Sequence, residues 1–328
     1  MQDVNAGPRQ LGGTRESVAV VGAGLMGRGC AQAFATAGFR VALCDVDQVA
    51  LRRAPALIGA DLTFMAERGL GDTTRVGPTL ARICTTSALA GAVAGAGFVL
   101  ECIPENLGTK QSLFQELETL CGPDTILATN TSMIRITQIA EACSPSSRGC
   151  VVGTHWWNPP AIMPLVEIVP GEETSEDTLA RTADLLRRAG KQPVSVKKDA
   201  AGFIGNRLLH ALYREALAIV EQGIADPATV DLVMKHGPGL RFPVLGPFEH
   251  MDMLGLDNLL GAYDYLFPYL DNAKMPGPLM RDKVDRGEVG FRSDGSGFQQ
   301  WTSEEQQALR RTLWDYLARA VAGEEHER

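Results

Sequence analysis

Val18-Ala-Val-Val-Gly22-Ala-Gly24-Leu25-Met26-Gly27 is a short apolar run that breaks into glycines spaced G-x-G-x-x-G and then passes into a helical pattern. Each glycine has a physical reason. The first lets the chain turn tightly out of a strand, the second lets backbone approach a pyrophosphate, and the third lets the next helix pack closely on the strand. Gly22, Gly24 and Gly27 take these places. Leu25 and Met26 then open a helix, read over Leu25–Ala37, whose first N–H groups and positive dipole end suit the phosphates of a dinucleotide. Asp45 follows the next apolar run, Val41–Cys44, 18 residues after Gly27. An acid there accepts from ribose hydroxyls and repels a 2′-phosphate, and Val46 and Asp47 beside it offer no arginine. NAD is therefore expected over NADP. The alternative for Asp45 is a helix-capping residue.

Outward from this motif, β-rich runs alternate with helical stretches. Strands are expected at 98–102, 125–128, 151–155, 165–169 and 193–196, with helices over 48–68, 109–120, 134–142 and 175–189. Such alternation implies βαβ units. After Lys197-Lys-Asp199 the pattern turns helical: 203–222, 226–236, 250–270, 278–286 and 303–322. Phe203, Ile204, Leu208, Leu212, Ala216, Ile219 and Val220 share one helical face. The expected fold is α/β, a Rossmann-type doubly wound, mostly parallel sheet followed by an all-helical domain. The expected division is a flexible leader at 1–16, a nucleotide domain at 17–198 and a helical domain at 199–328.

Composition narrows the function classes. The chain has 328 residues, about two domains' worth, and a net charge of −8, which argues against electrostatic binding to nucleic acid. The 35 glycines, about 11% of the chain, show no Gly-X-Y period, which excludes collagen. The longest apolar stretch, 88–100, is short of a membrane span and broken by three glycines, and the first 16 residues lack the apolar core of a signal peptide. The seven cysteines form no C-x-x-C pair, so reduced thiols in a cytoplasm are expected and no metal site is.

The chemistry points to one strand end. His155 lies in Thr154-His-Trp-Trp-Asn-Pro-Pro160, where ligands of open α/β sheets bind. Glu167 follows 12 residues later inside the apolar run Pro164–Val169. A carboxylate in such a run needs a partner if buried, and an antiparallel return through Pro159-Pro160 brings it beside His155. A carboxylate that fixes an imidazole in one tautomer makes a general base.

On these residues the chain resembles the L-3-hydroxyacyl-CoA dehydrogenase family. The motifs that carry the likeness run in order from 17 to about 300. They are the glycine fingerprint, Glu101-Cys-Ile-Pro-Glu105-Asn106 with Lys110, Asn130-Thr-Ser132, the His155 segment, Lys198-Asp-Ala-Ala-Gly-Phe-Ile-Gly-Asn206-Arg207, and Gly246-Pro-Phe-Glu-His-Met-Asp252 with Gly255-Leu-Asp257. The resemblance implies an NAD-dependent oxidation of a secondary 3-hydroxyl, first read as that of a short-chain 3-hydroxyacyl-CoA such as 3-hydroxybutyryl-CoA, in fatty acid metabolism. It implies His155 as base, Glu167 as its partner, and Ser132 and Asn206 as donors to the substrate oxygen. Glu105, Lys110, Asn130 and Asn158 would serve the cofactor, and the helical domain would form a homodimer.

The chain departs from the family pattern in three places, and the first two speak against the thioester. Positions often basic in thioester-handling relatives are Leu57, Ala60 and Phe64 here, and 54–65 contains no base, leaving only Arg52, Arg53 and Arg68 nearby. The segment Gly237–Gly246 is longer and resembles the gulonate 3-dehydrogenase/lambda-crystallin branch, while the segments around His155 and Glu167 also resemble a pyridine-carboxylate dehydrogenase branch. Gly290–Phe298 is altered from the family's glycine-rich segment. A small free hydroxy acid or aldehyde is the second reading, with Arg241 and Trp156 as substrate candidates beside Ser132. A crystallin-like protein that binds NAD without turnover is the third.

Overall fold

The computed structural model describes residues 17–326. The leader expected at 1–16 lies outside the described residues. The opening motif forms β1 (Ser17–Val21) and α1 (Leu25–Thr36), followed by β2 (Arg40–Cys44) and α2 (Gln48–Ala66). Next come elements that the sequence pattern did not reveal: a 3-10 turn at Thr73–Arg75, α3 (Val76–Leu80), β3 (Ile83–Thr86) and α4 (Leu89–Val93). Elements this short hold too few residues to display a period. Then follow β4 (Phe98–Glu101), α5 (Leu107–Leu120), β5 (Ile126–Thr129), α6 (Ile136–Ala140), β6 (Val151–Trp156), β7 (Leu165–Pro170), α7 (Glu176–Arg188) and β8 (Gln192–Ser195).

The strands form one sheet in the order β3-β2-β1-β4-β5-β6-β7-β8. All neighbours pair in parallel except β6 and β7. Alternate residues of β1 serve opposite faces: Val18 and Val20 join Phe34 and Phe98 on one side, Ala19 and Val21 join Val99 and Phe114 on the other. Both faces are thus covered, as a parallel sheet requires. β1 and β4 lie side by side while their connections lead to opposite ends of the sheet, which opens a crevice at their carboxyl ends.

Beyond this come α8 (Gly205–Glu221), α9 (Pro227–His236), α10 (Pro247–Leu254), α11 (Leu256–Leu266), α12 (Pro278–Asp285) and α13 (Ser303–His326). The helix expected over 250–270 is two helices. Gly255 divides them at φ 87°, a conformation that glycine adopts without the cost a Cβ would bring.

The chain falls into two compact units, residues up to Ile204 with those from Asp315 on, and Gly205–Trp314. The first boundary lies at 204/205 rather than 198/199 because 199–204 are tied to the sheet. Asp199 accepts from the N–H groups of Ile136 (3.1 Å) and Thr137 (2.9 Å) and from the Thr137 hydroxyl (2.6 Å). Phe203 is buried, and the Ile204 N–H donates to Glu167 Oε1 at 2.9 Å. The end of α13 belongs with the first unit, where Asp315 pairs with Arg68. Among the described residues no helix is long and apolar enough to cross a membrane.

Candidate active site

The loop from β1 to α1 fits a dinucleotide. Gly22 has φ 109°, and a Cβ on it would lie 2.6 Å from the Cys102 carbonyl oxygen. A Cβ on Gly27 would lie 1.7 Å from the Gly22 carbonyl oxygen, so loop and helix touch only because both are glycine. A Cβ on Gly24 would meet nothing within 4 Å, so that residue faces open space. No side chain caps α1 at Gly24, and its first turn holds no acid, which suits the helix end to an anion.

Asp45 closes the other side of this loop. Its Oδ2 accepts the Ala23 N–H at 2.5 Å and its Oδ1 the Asp47 N–H at 2.8 Å. The residue that caps α2 is Asp47, which accepts from the Val49 N–H. Asp45 is therefore not the cap. It is a carboxylate anchored to the glycine loop, with lone pairs left for ribose hydroxyls.

A cleft of about 420 Å³ continues from this loop. Its wall includes Met26, Glu105, Asn130, Ser132, His155, Trp157 and Asn158. His155 and Glu167 stand directly opposite in the antiparallel β6–β7 pair. His155 Nδ1 lies 2.7 Å from Glu167 Oε2, and both side chains are buried. The carboxylate fixes the proton on Nδ1 and leaves Nε2 as the basic nitrogen. Glu167 uses its other oxygen on the Ile204 N–H, so the pair is held from the far side as well. The His155 ring is bracketed by Trp157 at 5.2 Å and Phe203 at 5.5 Å between centroids. Phe203 takes a positive φ of 50°, which is costly for a residue with a side chain and clusters at functional sites. The sequence pattern placed Phe203 and Ile204 on a helical face, whereas α8 begins after them at Gly205; their part beside His155 and Glu167 was not read, because a backbone N–H and a φ value leave no mark in residue type.

Ser132 is positioned by Glu105. One Glu105 oxygen collects the Thr131 hydroxyl at 2.6 Å and the N–H groups of Ser132 at 2.9 Å and Met133 at 3.0 Å. Burial works to raise the Glu105 pKa. The Thr131 hydroxyl, the Lys110 charge and the two N–H donors more than offset it, so the carboxyl ionises below its ordinary value. The helix cap near Ser132 belongs to Arg135, so Ser132 is not a cap for α6. Asn130 accepts the Trp156 N–H at 2.9 Å and ties β5 to β6 at the cleft.

Lys110 departs from its expected place. It is 1% exposed, and its ammonium lies 2.6 Å from Glu101 Oε1 and 3.4 Å from Glu105, behind the cleft rather than on its wall. Glu101, which received no role, is fully buried and also accepts from the Ile103 N–H at 2.7 Å and the Thr129 hydroxyl at 2.6 Å. The rule that drew attention to Glu167, a carboxylate in an apolar strand, applied equally to Glu101.

Trp156 packs its ring against Phe34 at 5.4 Å in the core and also borders the cleft, while Trp157 lines the cleft beside His155. Asn206 is buried on the first turn of α8, and Arg241 is exposed after the 3-10 turn Pro238–Leu240, both in the helical unit. Among the described residues no group of three or more His, Cys, Asp and Glu is arranged to hold a metal.

Comparison with known proteins agrees along the chain. Residues 17–200 match the model of the 3-hydroxyacyl-CoA dehydrogenase NAD binding domain, and 202–301 that of the 3-hydroxyacyl-CoA dehydrogenase C-terminal domain. The 5-formyl-3-hydroxy-2-methylpyridine 4-carboxylate 5-dehydrogenase of Mesorhizobium japonicum is 36% identical over 294 residues, covering 89% of this chain and 93% of the relative. A probable 3-hydroxybutyryl-CoA dehydrogenase of Bacillus subtilis is 38% identical over 284 residues, covering 86% and 96%. A solved 5-formyl-3-hydroxy-2-methylpyridine 4-carboxylic acid 5-dehydrogenase, an NAD+ dependent dismutase, superposes with a TM-score of 0.85 at 34% identity, covering 95% of this chain and 98% of that one. With an NAD-fitted glycine loop leading to the cleft of His155, and both halves matched, the chain belongs to the 3-hydroxyacyl-CoA dehydrogenase family of NAD-dependent oxidoreductases acting on CH–OH groups.

Proposed function

We propose that the protein oxidises a small carboxylated substrate without coenzyme A, a hydroxy acid or the hydrate of an aldehyde. The observation that carries this reading is the state of Arg68. Leu57 and Ala60, where thioester-handling relatives carry bases, stand exposed on α2, and Arg68 is the base at that helix's end. Its guanidinium is already engaged by Asp315 and Glu67, and it stacks on the Phe64 ring at 3.5 Å. A phosphate of coenzyme A would have to displace that pairing. The extended likeness to a pyridine-carboxylate dehydrogenase supports the same reading.

In this reading His155 takes the hydroxyl proton at Nε2, and Glu167 stabilises the imidazolium that results. Ser132 and Asn206 donate hydrogen bonds to the oxygen as charge develops on it. Trp157 offers a flat apolar wall to a ring or short chain, and Arg241 is the partner for a substrate carboxylate. NAD, when bound, accepts the hydride. In the reverse direction His155 returns the proton.

We also infer a homodimer formed through the helical unit. Several large apolar side chains there remain exposed on the single chain, among them Phe248 at 77% and Val244 at 80%, and such surface marks an interface. The seven free cysteines support a reducing, cytoplasmic location.

The test is NADH formation with 3-hydroxybutyryl-CoA, free 3-hydroxybutyrate, gulonate and an aromatic ring bearing formyl and carboxylate groups. Turnover of a free acid at least a hundredfold above that of the thioester is expected. Preferred turnover of the thioester overturns the proposal and restores the acyl-CoA reading.

A further inference from the structure

Glu101 ends β4 and Thr129 ends β5, and the two stand opposite each other in that parallel pair. Glu101 is fully buried, and its two oxygens serve different elements. Oε1 accepts from the Lys110 ammonium of α5 at 2.6 Å and from the Ile103 N–H at 2.7 Å. Oε2 accepts from the Thr129 hydroxyl at 2.6 Å. Among the described residues, Glu101, Lys110, Thr129 and Thr131 all stand off the wall of the His155 cleft.

Two branches lead from this carboxylate to one turn. In the first, the Thr129 oxygen accepts the Thr131 N–H at 3.1 Å, and the Thr131 hydroxyl donates to Glu105 Oε1 at 2.6 Å. In the second, Lys110 reaches past Glu101 to Glu105 Oε2 at 3.4 Å. Glu105 Oε1 in turn holds the N–H groups of Ser132 and Met133, which are on the cleft wall. A buried ion pair that served stability alone could be exchanged for apolar side chains at little cost. This one is joined to polar groups on both sides, and both sides end at the turn that carries Ser132.

We propose that Glu101 is a positioning residue, which through Thr129 and Lys110 fixes the Thr131–Met133 turn and so sets where Ser132 meets the reacting oxygen. This rests on the role given to Ser132 above. Its charge matters as much as its reach. With Glu101 neutral, Glu105 is the carboxylate left within 4 Å of the ammonium among the described residues, and it is drawn away from the turn. An amide in its place meets donors at either end, the Ile103 N–H and the ammonium on one side and the Thr129 hydroxyl on the other. The hydroxyl then has to turn away, and the first branch is broken.

The test joins amide hydrogen exchange to kinetics. Exchange at the Ser132 and Met133 N–H groups, followed residue by residue in the free protein, should quicken about tenfold or more in Glu101→Gln and in Thr129→Val. Thr129→Ser, which keeps the hydroxyl, should recover most of that change. In NADH formation with the fastest of the four substrates named above, Thr129→Val should lower kcat about tenfold or more. Added to Ser132→Ala, it should lower kcat no further than Ser132→Ala does alone, because both act through one hydroxyl. A merely structural role would let the two losses multiply. Unchanged exchange in Thr129→Val, or losses that multiply, overturns the proposal. Ser132→Ala impaired with Thr129→Val unimpaired also overturns it, and leaves the role of Ser132 standing. Full turnover in Ser132→Ala overturns that role and the proposal with it.

Discussion

The sheet-bearing unit and the helical unit treat their apolar side chains in opposite ways. In the first, Phe34, Phe98, Phe114 and Ile136 are fully buried, and both sheet faces are closed. In the second, the buried side chains are those of Asn206 and Ala218, while Phe248, Tyr265 and Val244 stand in the open. Amphipathic helices are easily specified by a repeat of apolar residues, but the repeat does not say what covers the apolar face. A parallel sheet answers that question internally, because its crossover helices return onto it. The first unit therefore carries a core of its own, and the second leaves apolar side chains open on the single chain, the surface at which a second copy is proposed.

The comparison breaks most sharply if chemistry does not reside in the first unit. His155→Ala should lower turnover of the best substrate by about 10² to 10⁴-fold, with the fluorescence-titrated NADH affinity changed less than twofold. Unchanged turnover would remove the base assignment. Next in size is the buried ion pair of Lys110 and Glu101 in the first unit. Lys110→Met leaves Glu101 charged, buried and without its cation, and should cost about 3–5 kcal/mol in denaturant unfolding. A loss below 1 kcal/mol would mean that the pair is not confined as described.

The helical unit is tested by Leu208→Glu with Leu212→Glu, both exposed on α8. Self-association followed by sedimentation should weaken on the order of a hundredfold or more if that face is an interface. A wild-type chain that is monomeric at all concentrations would sink the dimer and leave the exposed face unexplained.

The smallest effect is expected at Glu105, whose folded pKa is held below its ordinary 4.5. A depressed acid contributes stability above its unfolded pKa and loses that contribution as pH falls through the folded value. Wild type should thus exceed Glu105→Gln at neutral pH by about 1 kcal/mol or less, since the side chain is over a third exposed and screened. The two should converge as pH falls below about 4.5. A gap that persists in acid would point to lost geometry around Ser132 rather than lost charge.

Much of this molecule was legible in its residues. The glycine spacing announced the first crossover. Glu167 in an apolar strand announced a buried partner, and β6–β7 pairing puts His155 directly opposite. Short elements between 73 and 93 left no periodic signal, and the break at Gly255 was hidden inside one apolar pattern.

By itself, the sequence determined the nucleotide loop, the alternation that builds the sheet and the pairing of His155 with Glu167, because these depend on local spacing and on the rule that a buried charge needs a partner. Tertiary structure alone decided that Lys110 lies behind the cleft with Glu101, that α13 returns Asp315 to Arg68, and that Ile204 and Phe203 hold the pair of His155 and Glu167. Each of these joins residues distant in the chain, or depends on backbone direction, and neither is written in residue type or spacing.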